Sequence, residues 1–276
     1  IRCPVVVLLV LGPAWLACAA HGEETAWKAG IARAKITPQK PLWMSGYGPR
    51  LSSEKIHDIW VKVLTLEAAD GHRGVIITAD VCGFSKPSCD TMGEVLKKRC
   101  GLDRSQVLLT CSHTHTGPAL RECLHCCWPY HDEKARALVE EYSLWLEKTI
   151  VDTVAQGFRN VQPVTLWATE GTADFAVNRR NNPEGQVPAI RRRGEPLRGP
   201  VDHSILMLAV KAPSGKLLAV VFGYACHTTT LADTLWSGDH QLWISLAGEV
   251  CVDYSLKFKG AYGPQTWVNG FVQELV

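Results

Sequence analysis

The sequence lacks any strong imbalance of charge. Its 29 lysines and arginines nearly balance 27 aspartates and glutamates, which leaves a formal net charge of +2 over 276 residues. The charges are interspersed, so the basic footprint of a nucleic-acid-binding surface is missing. The one basic cluster, three arginines at 191–193, is short and lies among prolines and glycines, where a solvated loop explains it better than a binding patch. We therefore expect no nucleic-acid partner.

Repeats, low-complexity tracts and a clear domain boundary are also missing. Hydrophobic residues make up 46% of the chain, which is ample for one sizeable core. We therefore expect a single domain over residues 29–276. Nothing in the sequence specifies the oligomeric state.

No apolar run is long and uninterrupted enough for a membrane span. The apolar stretch at 4–20 is broken by Gly12 and Pro13, follows Arg2, and ends in small residues around Cys18. This pattern predicts an export signal over residues 1–20 and a secreted or periplasmic protein. A lipoprotein acylated at Cys18, or a buried N-terminal strand or helix, is a weaker alternative.

Eleven cysteines would suit a disulfide-rich exported protein, but nine follow the predicted signal, and their spacing is irregular. Three cysteines and His125 crowd into 123–127 without a second ligand pair at zinc-site spacing, so a loop disulfide or thiols are favoured over a metal. Four others lie in apolar surroundings and are interpreted as packed thiols: Cys82, Cys111, Cys226 and Cys251.

Strand-like and helix-like stretches alternate along the chain. Period-2 or continuous apolar runs predict strands at 30–36, 60–66, 74–79, 106–111, 164–169, 205–210, 217–224, 243–247 and 266–268. Helical periodicity predicts helices at 87–100, closed by Gly101, at 133–157, terminated by Gly157, and at 250–259. A polar loop is expected at 178–200. This alternation predicts an α/β fold with mixed β-sheets flanked by helices.

Three of the apolar strands run into residues of a type that binds metal: His113, His227 and Glu249. In α/β folds, ligands gather where the carboxyl ends of strands diverge, and two imidazoles with one carboxylate suit a catalytic zinc ion. His115, two positions after His113 on an extended segment, would face the same site. Each histidine alone is more often a hydrogen-bonded core or surface residue. On spacing alone, the two interpretations are balanced.

Eight strings of the sequence resemble the neutral (neutral/alkaline, non-lysosomal) ceramidase family, and in particular its bacterial branch. They run in the family's order from about residue 29 to the end: AGIARAKITP, WMSGYGPR, CSHTHTGP, FAVNRRNN, GPVDH, VFGYACHTTTL, WSGDH and LAGEVCVDYSLKFK. The strings CSHTHTGP, NRRNN and GYACHTT are together quite specific. The resemblance is to the family's N-terminal catalytic domain and implies its mixed-sheet fold.

The resemblance implies zinc-dependent hydrolysis of the amide bond of an N-acyl lipid, ceramide to sphingosine and a fatty acid, by a metal-activated water. Zinc would be held by His113, His227 and Glu249. His115 would lie near the substrate carbonyl and Arg179 would line the active site, so both are the candidate catalytic residues. From the residues alone, a loop salt bridge explains Arg179 equally well. A lipid amide is the implied substrate, and peripheral contact with membrane lipid would accompany it.

The sequence departs from the family in two places. Asp239 and Glu249 are ten positions apart, where the family has a long segment that carries an active-site serine. The chain also ends at Val276, before the family's tyrosine metal ligand would be expected. We therefore expect an incomplete catalytic domain, with an internal deletion and a C-terminal truncation. A different zinc hydrolase, such as a peptidase or an esterase, and a non-catalytic remnant of the family are the alternatives.

Overall fold

A computed structural model describes residues 27–55 and 57–226, and the backbone of strand 242–246. The predicted signal at 1–20, the predicted helix at 250–259 and the predicted strand at 266–268 lie outside these residues. Within the described part of the chain, no helix combines the length and apolar content needed to cross a bilayer.

Eight strands and three α-helices form the described structure. The strands are Trp27–Lys35 (β1), Trp60–Glu67 (β2), Arg73–Ala79 (β3), Val107–Cys111 (β4), Gln162–Thr172 (β5), Ser204–Lys211 (β6), Leu217–Tyr224 (β7) and Leu242–Leu246 (β8). The helices are Lys86–Cys100 (α1), Glu133–Arg159 (α2) and Val187–Arg192 (α3), the last of which lies inside the predicted 178–200 loop. Each described strand falls where the sequence predicts one.

The strands form one mixed sheet in the order β4-β3-β2-β1-β5-β6-β7-β8. The edge pairs β3–β4 and β7–β8 are parallel, whereas every other pairing is antiparallel. Strand β1 pairs with β2 along eight residues but with β5 along only three. It therefore joins a first half-sheet, β1 to β4, to a second half-sheet, β5 to β8.

Side chains alternate between the two faces of the first half-sheet and build two cores. On one face, Val63 and Ile77 pack with residues of α1 and α2, including Leu96 and Ile150. On the other face, Leu64 and its neighbours pack with apolar residues of β5, β6 and β7. Strand β8 also lies close to β2, β3 and β4. The molecule thus has three layers, helices on sheet on sheet, which confirms the predicted α/β class.

Helix α1 begins and ends where its local sequence requires. Ser85 accepts a hydrogen bond from the backbone N–H of Ser88, and Pro87 occupies the first turn, where its missing N–H has no cost. Gly101 takes a left-handed conformation with φ of 69° and donates to the carbonyl of Lys97, which closes the helix as predicted.

Helix α2 does not end at Gly157, so that prediction is wrong. The helix continues to Arg159, and Asn160 caps it. A Cβ atom added at Gly157 would lie 2.8 Å from Cγ2 of Thr65, and one added at Gly30 would lie 1.9 Å from the carbonyl oxygen of Gly157. The glycine is therefore a contact residue, because it lets the helix approach β1 and β2 closely.

None of the eight cysteines among the described residues is joined to another of them by a disulfide. Cys126 and Cys127 lie in a short 3₁₀ turn with their sulfur atoms 3.8 Å apart. The dense group at 123–127 therefore contains thiols, one of the two forms that its spacing favoured over a metal site.

Candidate metal site

The parallel pairing of β3 and β4 brings two segments off the sheet at the same edge. Ala79, the last residue of β3, lies opposite Cys111, the last residue of β4, and the N–H of Ser112 donates to the carbonyl of Ala79 at 2.9 Å. Asp80 accepts a hydrogen bond from the N–H of Trp60 at 2.8 Å, and burial raises the pKa of its carboxyl group. The ends of β3 and β4 are therefore fixed relative to each other at the point where the candidate ligands follow.

His113 is buried, at 3% exposure, and has a φ of 55°. The left-handed conformation costs a non-glycine residue on the order of 1 kcal/mol, and such strain concentrates at functional sites. The Nδ1 atom of His113 lies 2.7 Å from the carbonyl oxygen of Cys82. Because a carbonyl can only accept, Nδ1 carries the proton and Nε2 keeps its lone pair, the tautomer that a metal ligand needs.

His115 meets His113 at this lone pair, and their Nε2 atoms are 3.1 Å apart. Two nitrogens bound to one tetrahedral zinc ion, at 2.0–2.1 Å each, lie about 3.3 Å from one another. The observed spacing fits either a metal ion bound by both nitrogens or a hydrogen bond from Nε2 of His115 to Nε2 of His113. The sequence predicts that an extended segment brings His113 and His115 to the same site. In the structure, the left-handed conformation of His113 brings the two imidazoles together instead.

Gly46 and Arg50 fix the position of His115, which is 9% exposed. A Cβ atom at Gly46, whose φ is 93°, would lie 2.3 Å from Cγ of the imidazole. Arg50 donates to the carbonyl of His115 and stacks over the ring of Tyr47, which itself contacts the imidazole edge-on at 4.8 Å. The imidazole ring of His115 is therefore packed closely against Gly46 and Tyr47.

Cys82 completes a group of three side chains that could hold a metal. Its sulfur lies 3.6 Å from Nδ1 of His113, and one ligand atom each from Cys82, His113 and His115 all lie within 4.8 Å of one another. The apolar surroundings of Cys82 in the sequence indicate a packed thiol. The position of Cys82 in the sequence could have indicated a metal ligand, since Cys82 follows β3 about as closely as His113 follows β4.

Arg121 anchors the loop after the histidines to helix α2. Its guanidinium forms two 2.9 Å bonds to the carboxylate of Glu147, which is buried, and a third bond of 3.3 Å to Glu140. The backbone N–H of Arg121 donates to Oγ of Ser143 at 2.9 Å. On the other side, the N–H of Ser45 donates to the carbonyl of Gly117. The segment that carries the histidines is thus held from two directions.

Arg179 lies exposed in a turn within the loop that connects β5 to β6. Burial raises the pKa of the Cys226 thiol, and the nearby Arg179 cation opposes this shift. Arg179 therefore lies within electrostatic range of Cys226, which follows β7 and precedes His227. Among the described residues, no hydrogen bond or ion pair joins Arg179 to His113 or His115.

His227 and Glu249 lie outside the described residues, and their role as ligands stays a prediction. Pairing order gives β4 one direction and gives β7 and β8 the other. A common carboxyl edge therefore exists within each parallel pair separately. Because β8 approaches three successive strands of the first half-sheet, the sheet folds back on itself. Whether the carboxyl ends of β3 and β4 come close to those of β7 and β8 depends on this folding.

No family model matches the chain, and no curated protein matches it. Solved ceramidase structures share its fold. The neutral ceramidase from Pseudomonas aeruginosa matches with a TM-score of 0.60 and 16% identity, and a ceramidase complexed with C2 matches with a TM-score of 0.59 and 18% identity. In both cases the match covers 81% of this chain and 38% of the ceramidase chain. The resemblance predicted from the sequence is therefore confirmed at the level of the fold.

Proposed function

We propose that this chain is a zinc-dependent amide hydrolase of the ceramidase type, which cleaves N-acyl lipids such as ceramide into a fatty acid and sphingosine. The observation that carries the proposal is the facing pair of Nε2 atoms from two buried histidines on a ceramidase-type fold. The tautomer of His113, set by the Cys82 carbonyl, leaves a lone pair directed away from the backbone.

The proposed ligands are His113, which the structure describes, and His227 and Glu249, which follow β7 and β8 in the sequence. Neutral imidazoles and one carboxylate are a common set for catalytic zinc. A zinc ion in such a site acts as a Lewis acid toward water and toward the amide carbonyl. We also propose export, on the strength of the N-terminal pattern at 1–20.

His115 and Arg179 have separate proposed tasks. The imidazole of His115, held beside His113, is proposed to pass a proton to the leaving amine. The guanidinium of Arg179, within electrostatic range of Cys226, can donate to the oxygen on which negative charge develops. Both tasks require an acyl group that lies between the two half-sheet edges, with its lipid chain toward solvent or a membrane surface.

Replacement of His113 by alanine tests the proposal. In the full chain, His113→Ala should lower bound zinc from one equivalent to well below it and slow ceramide hydrolysis by at least about a hundredfold. His72→Ala is the matched control, because that histidine is exposed and its imidazole pairs with the exposed Asp70. Zinc content by atomic emission and release of fatty acid are the measurements.

Retention of one zinc per chain in both His113→Ala and His227→Ala would overturn the metal assignment. Parallel assays on peptide and ester substrates separate the other zinc hydrolases from an amide hydrolase of lipids. A substoichiometric zinc content in the unaltered chain would point to the non-catalytic remnant.

A further inference from the structure

The proposed function assigns no role to Cys82, a buried residue of a type that binds metal ions. Cys82 is 1% exposed, and its sulfur lies 3.6 Å from Nδ1 of His113. Together with His115 it forms the one three-ligand group found among the described residues. The sequence interpretation as a packed thiol does not account for two imidazoles with a nitrogen within 4.8 Å of the sulfur.

The backbone around Cys82 is held in place while its side chain keeps one rotation. Its carbonyl accepts hydrogen bonds from Nδ1 of His113 at 2.7 Å and from the sulfur of Cys111 at 3.3 Å. Its sulfur can therefore move only by rotation about the Cα–Cβ bond. Zinc–sulfur bonds of 2.3 Å and zinc–nitrogen bonds of 2.0–2.1 Å place a sulfur and a nitrogen ligand about 3.6 Å apart. Because one ligand atom from each of Cys82, His113 and His115 lies within 4.8 Å of the others, rotation of the Cys82 side chain can bring its sulfur to this spacing.

We propose that the Cys82 thiolate binds the same divalent metal ion as His113, which makes the site sulfur-containing. This inference rests on the metal site of the proposed function and adds a fourth protein ligand to it, so the water of the proposed reaction would be a fifth ligand. On binding, the sulfur–metal bond forms, the thiol proton passes to solvent, and no redox change takes place. A sulfur ligand favours zinc, cadmium and cobalt over magnesium and calcium.

Cys111 shows what a purely packed thiol looks like in the same region. It is equally buried, burial raises its pKa to about 12, and it donates to a carbonyl. It ends strand β4, whereas Cys82 lies beyond the end of β3, where the two segments leave the sheet. Position relative to the strand end therefore distinguishes the two thiols.

The test loads the full chain with cobalt and records its near-ultraviolet absorption. A thiolate bound to cobalt gives a charge-transfer band that nitrogen and oxygen ligands do not give. We expect this band in the unaltered chain and in Cys89→Ser, a half-buried thiol on α1 outside the cluster, and its loss in Cys82→Ser. Cadmium affinity should fall by at least about tenfold in Cys82→Ser, while weak magnesium binding stays unchanged.

Cobalt bound without the band, or a band that persists in Cys82→Ser, would overturn the inference and leave the proposed function standing. If the band is present in the unaltered chain and lost in Cys82→Ser, but no amide is hydrolysed, the inference is supported and the proposed function fails. If Cys82→Ser does not fold, cadmium NMR of the unaltered chain decides, since a thiolate ligand shifts the resonance strongly downfield. A resonance in the range of nitrogen and oxygen ligands would contradict the inference.

Discussion

Gly46 has a task that only a glycine can perform. Its φ of 93° is unfavourable for other residues, and any Cβ atom would overlap the imidazole of His115. This constraint ties one loop residue to the position of a candidate catalytic side chain.

Gly46→Ala should destabilise the protein by about 2 kcal/mol, because backbone strain and overlap with His115 act together. Displacement of the ring should also weaken metal binding. Urea unfolding and zinc titration measure the two effects. Gly48→Ala is the control, since a Cβ atom there has open space. Equal stability of both variants would mean that the loop adapts without moving His115.

Asp58 supplies a charge-dependent contribution to stability where β1 leads into β2. Its carboxylate contacts the ammonium groups of Lys35 at 2.7 Å and Lys55 at 3.0 Å, and accepts from Thr37. The two lysines hold the pKa of Asp58 far below its usual range. A depressed acid pKa stabilises the folded state above the unfolded pKa of about 4, and this effect is lost as the pH falls toward the folded value.

Asp58→Asn should therefore be less stable than the unaltered chain at pH 7, and the difference should shrink as the pH falls below about 4. Denaturant unfolding at a series of pH values gives this curve. Asp174→Asn, at an exposed position outside this cluster, should show no such convergence. A constant difference across the pH range would show that charge does not carry the effect.

At the scale of elements, the Arg121–Glu147 pair links the histidine-bearing segment to α2. The Glu147 side chain is 9% exposed and that of Arg121 is 18% exposed, so neither partner can be rehydrated easily. Loss of Glu147 leaves the largely buried Arg121 charge with Glu140, which is more exposed, as its remaining partner.

Glu147→Gln should lower the free energy of unfolding by about 3 kcal/mol. The double variant Arg121→Met with Glu147→Met should recover much of this loss, because no buried charge remains. Lys86→Gln breaks an exposed helical pair and should cost at most about 0.5 kcal/mol. Urea unfolding measures all three. A small effect of Glu147→Gln would mean that water replaces the pair.

Element types and most boundaries could be predicted from the sequence because local signals set them. Ser85, Pro87 and Gly101 mark the ends of α1 as local chemistry requires. The helix end predicted at Gly157 is wrong because a glycine that ends a helix and one that permits close packing look alike in the sequence. In the same helix, Leu138 and Trp145 follow the apolar period but are exposed. Only the tertiary contacts of α2 distinguish these cases.

At the scale of the whole molecule, the sequence predicted the histidines but not their third neighbour. His113 and His115 share a short motif, whereas Cys82 joins them only through the parallel pairing of β3 with β4. Strand order and the folding back of the second half-sheet are equally non-local. Such relations depend on which strands become neighbours, and periodicity along one chain does not encode them.

Metal binding should stabilise the entire fold, because the folded state alone brings the ligands together. Zinc at a free concentration of 100 times its Kd should raise the free energy of unfolding by about 2.7 kcal/mol, and a chelator should reverse the effect. Thermal unfolding with and without zinc measures this shift. His113→Ala should show none, and an equal shift in that variant would place the zinc elsewhere.

The first half-sheet and both of its helices lie entirely before residue 160, and so do Cys82, His113 and His115. During translation, this part of the chain leaves the ribosome while the strands of the second half-sheet are still unmade. All three side chains are therefore synthesised before His227. The order of synthesis makes the early half the first part of the chain that can meet a metal ion.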